Sequence, residues 1–495
     1  MVTLWPTPKI TDFMSTPSLI TVEIAEDGKS ATISLSPGKG EEPPTYREII
    51  KVLKERGVVR GYITENIRMA AEKALVGEKI KVAEWIPPVD GMDAELTYHY
   101  REYKNLLPLI LEQGPDAALD GIHLIQQVKK GDVVLSRTPP VKGVPGCDVT
   151  GKKIPYREGK DITLEDTEYL SVSSGGANAF AARDGQIIID GEGRVSIRPL
   201  MVLRQTSGSR EIKFDGSILV ERDLGLFPGL VVSGDVEVRG AAQNVPIEAG
   251  GNVLVQGPFL LSGGKIGRAE GDFACVTTTN AHIVAKNIFV EKSSGYSTLE
   301  AEEEVHTSLK EGKVAGGEIE AGKKAVLGEL GNKKEIATLV KVATNEIQIK
   351  YNTIKKEKTE RMLAQAKERF EVAREVYLKL DKERGMREKN SPDLEKKAGG
   401  AKELKETLGV ELDRLKTEMV QLKTFKPDPN LGEVGCQSVH AGVRLEMGQS
   451  VRAITIPIES PVRFLKRAVG IVTEMKEFLR KEEKKNVEME IIPEE

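Results

Sequence analysis

The chain has 495 residues, 39% apolar, 30% charged and only 5% aromatic, with a formal charge of −4 and a pI near 6.0. That charge excludes a general nucleic-acid binder, whose surface carries a basic patch or stripe, and a core poor in aromatic residues suits stacked strands and paired helices better than a wide ligand pocket. Cys147, Cys275 and Cys436 have neither metal-ligand nor disulfide spacing, which points to a reducing cytosol; the N-terminus has no signal-peptide pattern, and no apolar run reaches the ~18 residues of a membrane span.

Residues 1–16 read as a flexible lead-in to an N-terminal α+β/β domain over 17–205. Leu19 to Ile24 and Ala31 to Leu35 alternate around an Asp27-Gly28 turn, the pattern of a hairpin. Thr45 with Glu48 forms a capping-box pattern for a helix from Tyr46 to Arg56, and a second helix from Thr64 ends at Gly77. A strand is expected at Glu95 to Tyr100, and a strand pair over 122–135 around Lys130-Gly131-Asp132. The loop from Pro139 to Pro155 is the most distinctive of the chain, and short strands fill 170–198.

From 206 to 344 the chain becomes short apolar alternations broken by glycine, such as Val236-Glu237-Val238, Val253-Leu254-Val255 and Ile288-Phe289-Val290. Strands this brief bury a face only when stacked as coils, so the stretch reads as a parallel β-helix. An insertion over 345–424 carries Leu363, Ala366, Phe370, Ala373, Tyr377 and Leu380, then Leu408, Leu412, Leu415, Met419 and Leu422. Steps of three and four predict two helices in an antiparallel coiled coil. Asn345 with Gln348 is the expected cap of the first. Alternation resumes over 425–459 as a return to the β-helix. Ser460-Pro461 then reads as the start of a capping helix and tail over 460–495, bearing Phe464, Leu465, Ala468, Val472, Met475 and Leu479.

Several pieces occur in a distinctive order: Val82-Ala83 with Pro87-Pro88-Val89-Asp90-Gly91-Met92-Asp93, Pro140-Val141-Lys142-Gly143-Val144-Pro145-Gly146 with Val149-Thr150-Gly151-Lys152, Gly316-Gly317-Glu318-Ile319-Glu320-Ala321, and Ala441-Gly442-Val443-Arg444-Leu445. Together they resemble the bacterial flagellar assembly protein A (FapA) family over residues 18–458. The resemblance implies an N-terminal α+β domain, a right-handed β-helix and a helical hairpin. It also implies a cytoplasmic role in polar flagellar placement or assembly, exercised at the cell pole. Partners of that kind are flagellar-placement factors or the glucose-specific phosphocarrier of the sugar phosphotransferase system. No residue motif marks a docking site, so partner-binding residues stay unknown. Glu84-Trp85-Ile86 departs from the family, which tends to have a small residue before the prolines.

Four constellations bear on chemistry. Gly146 to Lys153 mimics a P-loop, but Lys153 replaces the hydroxyl residue and Pro145 and Pro155 exclude the strand and helix it needs. Gly263-Gly264-Lys265-Ile266-Gly267 superficially matches a dinucleotide fingerprint, yet no helix follows; β-helix corners at positive φ explain the glycines. Among His99, His123, His282, His306 and His440, the last three are candidates to stack on successive coils as a metal site. Asp235, Glu237, Glu248, Asp272, Glu291, Glu318 and Glu320 are the carboxylates that a polysaccharide lyase or glycosidase would cluster on one face. That enzyme class is the alternative reading. Hexapeptide acyltransferases, a third class, need a strict six-residue period that these irregular units lack. The expectation is a non-enzymatic scaffold with no catalytic, cofactor or metal site, able to self-associate through β-helix ends.

Overall fold

The computed structural model describes residues 19–36, 44–73, 77–114, 117–204, 207–225, 227–385, 392–467 and 470–475. The expected lead-in over 1–16 lies outside them. The chain folds as two compact units, Met1–His99 with Lys130–Ala182, and Tyr100–Lys129 with Arg183–Glu495. Within the stretch 17–205 read as one domain, Tyr100–Lys129 and the residues from Arg183 group with the solenoid, and Leu106, Leu107, Ile110, Leu119, Ile122 and Ile125 of the former are buried against it.

In the first unit Leu19–Ile24 pairs antiparallel with Ser30–Ser36, and Ser30–Ser36 with Ile80–Glu84. Helix α1 (Tyr46–Glu55) starts at a closed capping box, with Thr45 N donating to Glu48 Oε2 at 2.8 Å and Glu48 N to Thr45 Oγ1 at 3.4 Å. Its Ile49 and Leu53 join Ile67 and Ala70 of α2 (Thr64–Lys73) over Ala31, Ile33 and Leu35 of the sheet. A second sheet sets Val133–Thr138 between Glu95–Tyr98 and Asn178–Ala181. The strand pair expected over 122–135 does not form. Gln127–Val128 pairs instead with Gly185–Ile189 of the second unit, and Gly131 turns the chain at φ 93° before Val133–Thr138 begins.

The second unit is a β-solenoid of about seven turns over 200–342. The first coils contribute short strands of two to four residues, which merge in later coils into longer ones such as Val253–Leu260 and His282–Thr307. Each segment pairs in parallel with its equivalent one coil on, as Ile218 with Val236, Val236 with Val253 and Val253 with Phe273. Equivalent positions in successive coils are 15 to 21 residues apart, from Phe273 with Ile288 to Gly317 with Thr338. One corner lies in the left-handed region in three successive coils, at Asn280, Tyr296 and Gly316, and Asn244 holds the same place two coils before Asn280. Glycine and asparagine reach that conformation with least strain.

Two long helices, α4 (Asn345–Gly385) and α5 (Pro392–Lys423), interrupt the solenoid; a short one, α3 (Leu106–Leu111), lies earlier. Contacts of α4 with α5 run antiparallel, from Asn352 Nδ2 bonding Leu422 O at 3.2 Å to Lys405 Nζ over the Tyr377 ring. Ala366, Leu412 and Leu415 form the buried seam. The N-cap is Thr344, whose Oγ1 accepts Ile347 N, rather than Asn345. Gln348 instead joins the two ends of the insertion: it accepts Asp428 N at 2.8 Å and donates to Asp428 O at 2.9 Å and Ala343 O at 2.8 Å. After α5, Glu433–Val439 pairs in parallel with Lys324–Leu330, and Val443–Met447 with Thr338–Val342. One apolar core runs from Ile218 to Phe464 without a break.

The capping helix expected from Ser460 is contradicted. Val462–Arg467 and Gly470–Met475 are antiparallel strands, the first paired with Glu433–Val439. The last coil offers an unpaired strand edge, and main-chain pairing along it outweighs the helical spacing of Phe464 and Val472. Residues 476–495 of that reading lie outside the described residues. Phe464, fully buried in the core, anchors this end. Phe464→Ala should lower stability by about 3–5 kcal/mol, measured by urea unfolding.

Candidate functional site

The carboxylates of the solenoid were the most specific candidates for chemistry, and the structure assigns each a neighbour. Residues Leu219, Leu254, Ala274 and Phe289, with Glu237 between the first two, stand in one row on the outward side of five coils. Left in water they would make an exposed apolar sheet face. Leu106, Leu107 and Ile110 of α3, with Leu119, Ile122 and Ile125, bury them. We call Tyr100–Lys129 the cover segment.

Within this contact Asp235, Glu237, Asp272 and Glu291 are at most 8% exposed. Glu237 Oε2 accepts Ile125 N at 2.8 Å, Asp272 Oδ2 accepts Leu107 N at 2.8 Å, and Glu291 Oε2 accepts Leu119 N at 2.9 Å. Asp235 accepts the Tyr103 hydroxyl at 2.9 Å and Gln186 Nε2 at 2.8 Å. A corner ladder supports two of them: Asn252 N donates to Asp235 Oδ1, Asp272 N to Asn252 Oδ1, and Asn287 Nδ2 to Asp272 Oδ1, all at 2.8 Å. Burial raises the Asp272 carboxyl above its ordinary value, against the pull of the Leu107 amide and Asn287. Asp235, Glu237 and Asp272 are closed off from any sugar; Glu291, its other oxygen 3.6 Å from Lys292 Nζ, borders a cavity of about 360 Å³ that Asp120, Gln256 and Glu311 also line.

The remaining candidates are elsewhere. Glu248 is exposed on a different side, opposite Arg268 in register. Glu318 and Glu320 flank Lys341, and Lys350 of α4 bridges Glu300 and Glu320. With Lys358 Nζ at 2.8 Å from Glu270, these ion pairs hold the first turns of α4 along the solenoid.

The histidines are not brought together. His282 meets Glu300 at 2.6 Å, His306 meets Glu304 at 2.7 Å, His440 meets Glu329 at 2.8 Å, and His99 meets Ser136 at 2.7 Å. His123 is 58% exposed. Among the described residues no group of three His, Cys, Asp or Glu side chains is arranged to hold a metal ion. Burial raises the thiols of Cys275 and Cys436, the latter to about 12, so neither is a ready thiolate.

The P-loop mimic is a turn built on Asp148. Its Oδ1 accepts Thr150 N and Lys152 N, both at 2.9 Å, and Thr150 Oγ1 at 2.7 Å. Cys147 N and Val149 N bond the carbonyls of Ile86 and Gly28. The amides of Cys147, Asp148, Val149, Thr150, Gly151 and Lys152, which would cradle a phosphate, are already spent. Of the glycines taken for a dinucleotide fingerprint, Gly263 and Gly264 are corners at φ 67° and 72°. A Cβ on Gly267 would strike the Phe259 ring.

The proline-glycine motifs form the most unusual feature of the first unit. Ile86, Val89 and Met92 exchange reciprocal main-chain bonds with Cys147, Val144 and Val141. Bonding at every third residue is the repeat of polyproline-like chains, not of a β-ladder. A third chain adds Arg157 O and Lys160 O as acceptors for Gly91 N and Ala94 N. A side chain on Gly91, Gly143, Gly146 or Gly159 would collide with a neighbouring main chain. These glycines serve close approach. Ile86, Val89, Met92, Val141 and Val144 point the other way, each 50–63% exposed.

The cover segment has no counterpart among the sequence expectations. The run Leu106-Leu107-Pro108-Leu109-Ile110-Leu111, too short for an amphipathic period, was its available signal. The family model for the Flagellar Assembly Protein A N-terminal region matches residues 20–192, and that for the Flagellar Assembly Protein A beta solenoid domain matches residues 207–471. No curated protein and no solved structure matches the chain.

Asp272→Leu, which strands the Leu107 amide and the Asn287 side chain, should cost roughly 2–4 kcal/mol in urea unfolding and speed hydrogen exchange at Leu107. His306 holds the Glu304 carboxyl below its ordinary 4.5 by hydrogen bonding. A depressed folded-state value means stability that is present above the ordinary value and lost as pH falls through the folded one. Glu304→Gln should therefore be less stable than the natural chain at neutral pH and lose less on acidification, as followed by unfolding at a series of pH values.

Proposed function

The chain belongs to the Flagellar Assembly Protein A family, and on that premise we propose that it is a non-enzymatic cytoplasmic scaffold of flagellar assembly, acting at the cell pole through protein partners. The observation that carries this reading is the use of Asp235, Glu237, Asp272 and Glu291: side chains that a carbohydrate-active solenoid would turn toward substrate are committed to the cover segment. Among the described residues no helix is long and apolar enough to cross a membrane. In this reading the solenoid is right-handed, and α4 and α5 form a coiled coil that carries the partner surface. Val372 and Val376 on α4 and Leu404 and Val410 on α5 support that placement, since all four are 46–72% exposed. A flagellar-placement factor or a sugar-phosphotransferase phosphocarrier is the kind of partner implied.

Replacing residues 346–424 by a short Gly-Ser linker tests the reading. Gln348 is lost with its partner contacts, but the parallel pairing on either side of the insertion remains available. The expected result is a folded solenoid, by circular dichroism, that no longer restores flagellation in a cell lacking the gene. Full restoration would refute the partner-bearing role of the helices. Release of reducing ends or unsaturated products from anionic polysaccharides would instead establish the enzyme alternative.

A further inference from the structure

The aliphatic array on the first unit goes beyond this reading, because no contact described above uses it. Its two rows are Ile86, Val89 and Met92 on one chain and Val141, Val144 and half-buried Cys147 on the antiparallel neighbour. Five large aliphatic side chains at least half exposed form a contiguous patch, and such patches mark interaction surfaces. The array is also stiff. Reciprocal main-chain bonds fix every third residue, and the glycines behind it leave no room for the chains to shift. A surface already ordered loses little freedom on association.

The flanks identify the occupant. Asp90 stands beside the first row, facing the third chain through the bond from Arg157 N at 2.8 Å. Lys142 stands beside the second row, exposed, with no ion-pair partner among the described residues. One edge of the array is thus acidic at its middle and the other basic. We propose that the array is an interface between two copies of this chain, related by a twofold axis parallel to the rows. Rotation about that axis lays the Ile86-Val89-Met92 row of one copy on the Cys147-Val144-Val141 row of the other. It brings Asp90 opposite Lys142 of the second copy, offset by one residue, or ~3 Å along polyproline-like chains, and it does so twice. The other in-plane axis, perpendicular to the rows, would set like row on like row and bring Asp90 near Asp90, which repulsion disfavours. A self-complementary patch meeting itself is the isologous arrangement of twofold dimers. Two patches of a few hundred Å² each reach the lower end of specific interfaces, ~1,000 Å² in total, so the dimer is reversible and concentration-dependent.

Sedimentation velocity of the full chain from low micromolar to submillimolar concentration tests the proposal, with circular dichroism to confirm that each variant is folded. The expected result is a monomer–dimer equilibrium weakened about tenfold or more, at least ~1.4 kcal/mol, by Val89→Asp or Val144→Asp. Lys142→Glu should weaken it as well, and adding Asp90→Lys should recover much of the loss. A monomer at every concentration overturns the proposal. So does a dimer unmoved by both valine substitutions, or one in which the charge exchange recovers nothing. Loss of the α4–α5 partner function leaves these outcomes unaffected, so the two readings fail separately.

Discussion

Burying a carboxylate costs several kcal/mol unless donors replace its water, and burying an amide without an acceptor is costly too. The second unit meets both demands with one contact. Glu237, Asp272 and Glu291 need donors, and the amides of Ile125, Leu107 and Leu119, buried over an apolar sheet face, need acceptors. Remove the cover segment and the solenoid keeps three ions and a row of Leu219, Leu254, Ala274 and Phe289 with nothing over them. Remove the acids and the segment loses its register along the coils. Burial of the apolar row drives the contact; the acids fix where each turn of the segment sits.

The helical insertion meets a different constraint. Parallel coils tolerate a long excursion only if the strands on either side still find each other. Here Thr338–Val342 precedes α4 and receives Val443–Met447 after α5. Gln348 ties entry to exit with both ends of its amide, a contact that accounts for its burial in an otherwise solvated helix. Lys350 and Lys358 then hold α4 against acids on the coils beneath. The insertion is thus braced at its base.

What the sequence reveals follows from period. Alternation by two marks the hairpin Leu19–Ile24 with Ser30–Ser36, and steps of three and four mark α4 and α5, because one face of each element is apolar and the other is not. The solenoid is readable for the same reason, with glycine or asparagine at most of its left-handed positions, though not at Tyr296 or Glu335. A three-residue repeat has no such template, so Val141-Lys142-Gly143-Val144-Pro145-Gly146 looks like turns until its partner chain is seen. Pairings between coils are equally hidden. His440 meets Glu329 from 111 residues away, and the coil step between the corner-ladder residues varies from 15 to 20. Phe464 and Val472 satisfy a helix and a strand pair alike, and the unpaired edge beside them decides.

The cover segment also has a history imposed by the order of synthesis. Leu107 precedes its acceptor Asp272 by 165 residues, and Leu119 precedes Glu291 by 172. At about 5–20 residues per second, a ribosome releases Leu107 roughly 8 to 33 s before Asp272 exists. Met1–His99 is already out by then, and Lys130–Ala182, which completes the first unit, emerges within that interval. The first unit is then free to close with Leu106, Leu107 and Ile110 looped out and uncovered, waiting for coils not yet made. That interval is when the nascent chain is most exposed to aggregation and to chaperone capture, and it ends only as the fifth strand of the covered row, carrying Phe289, leaves the ribosome.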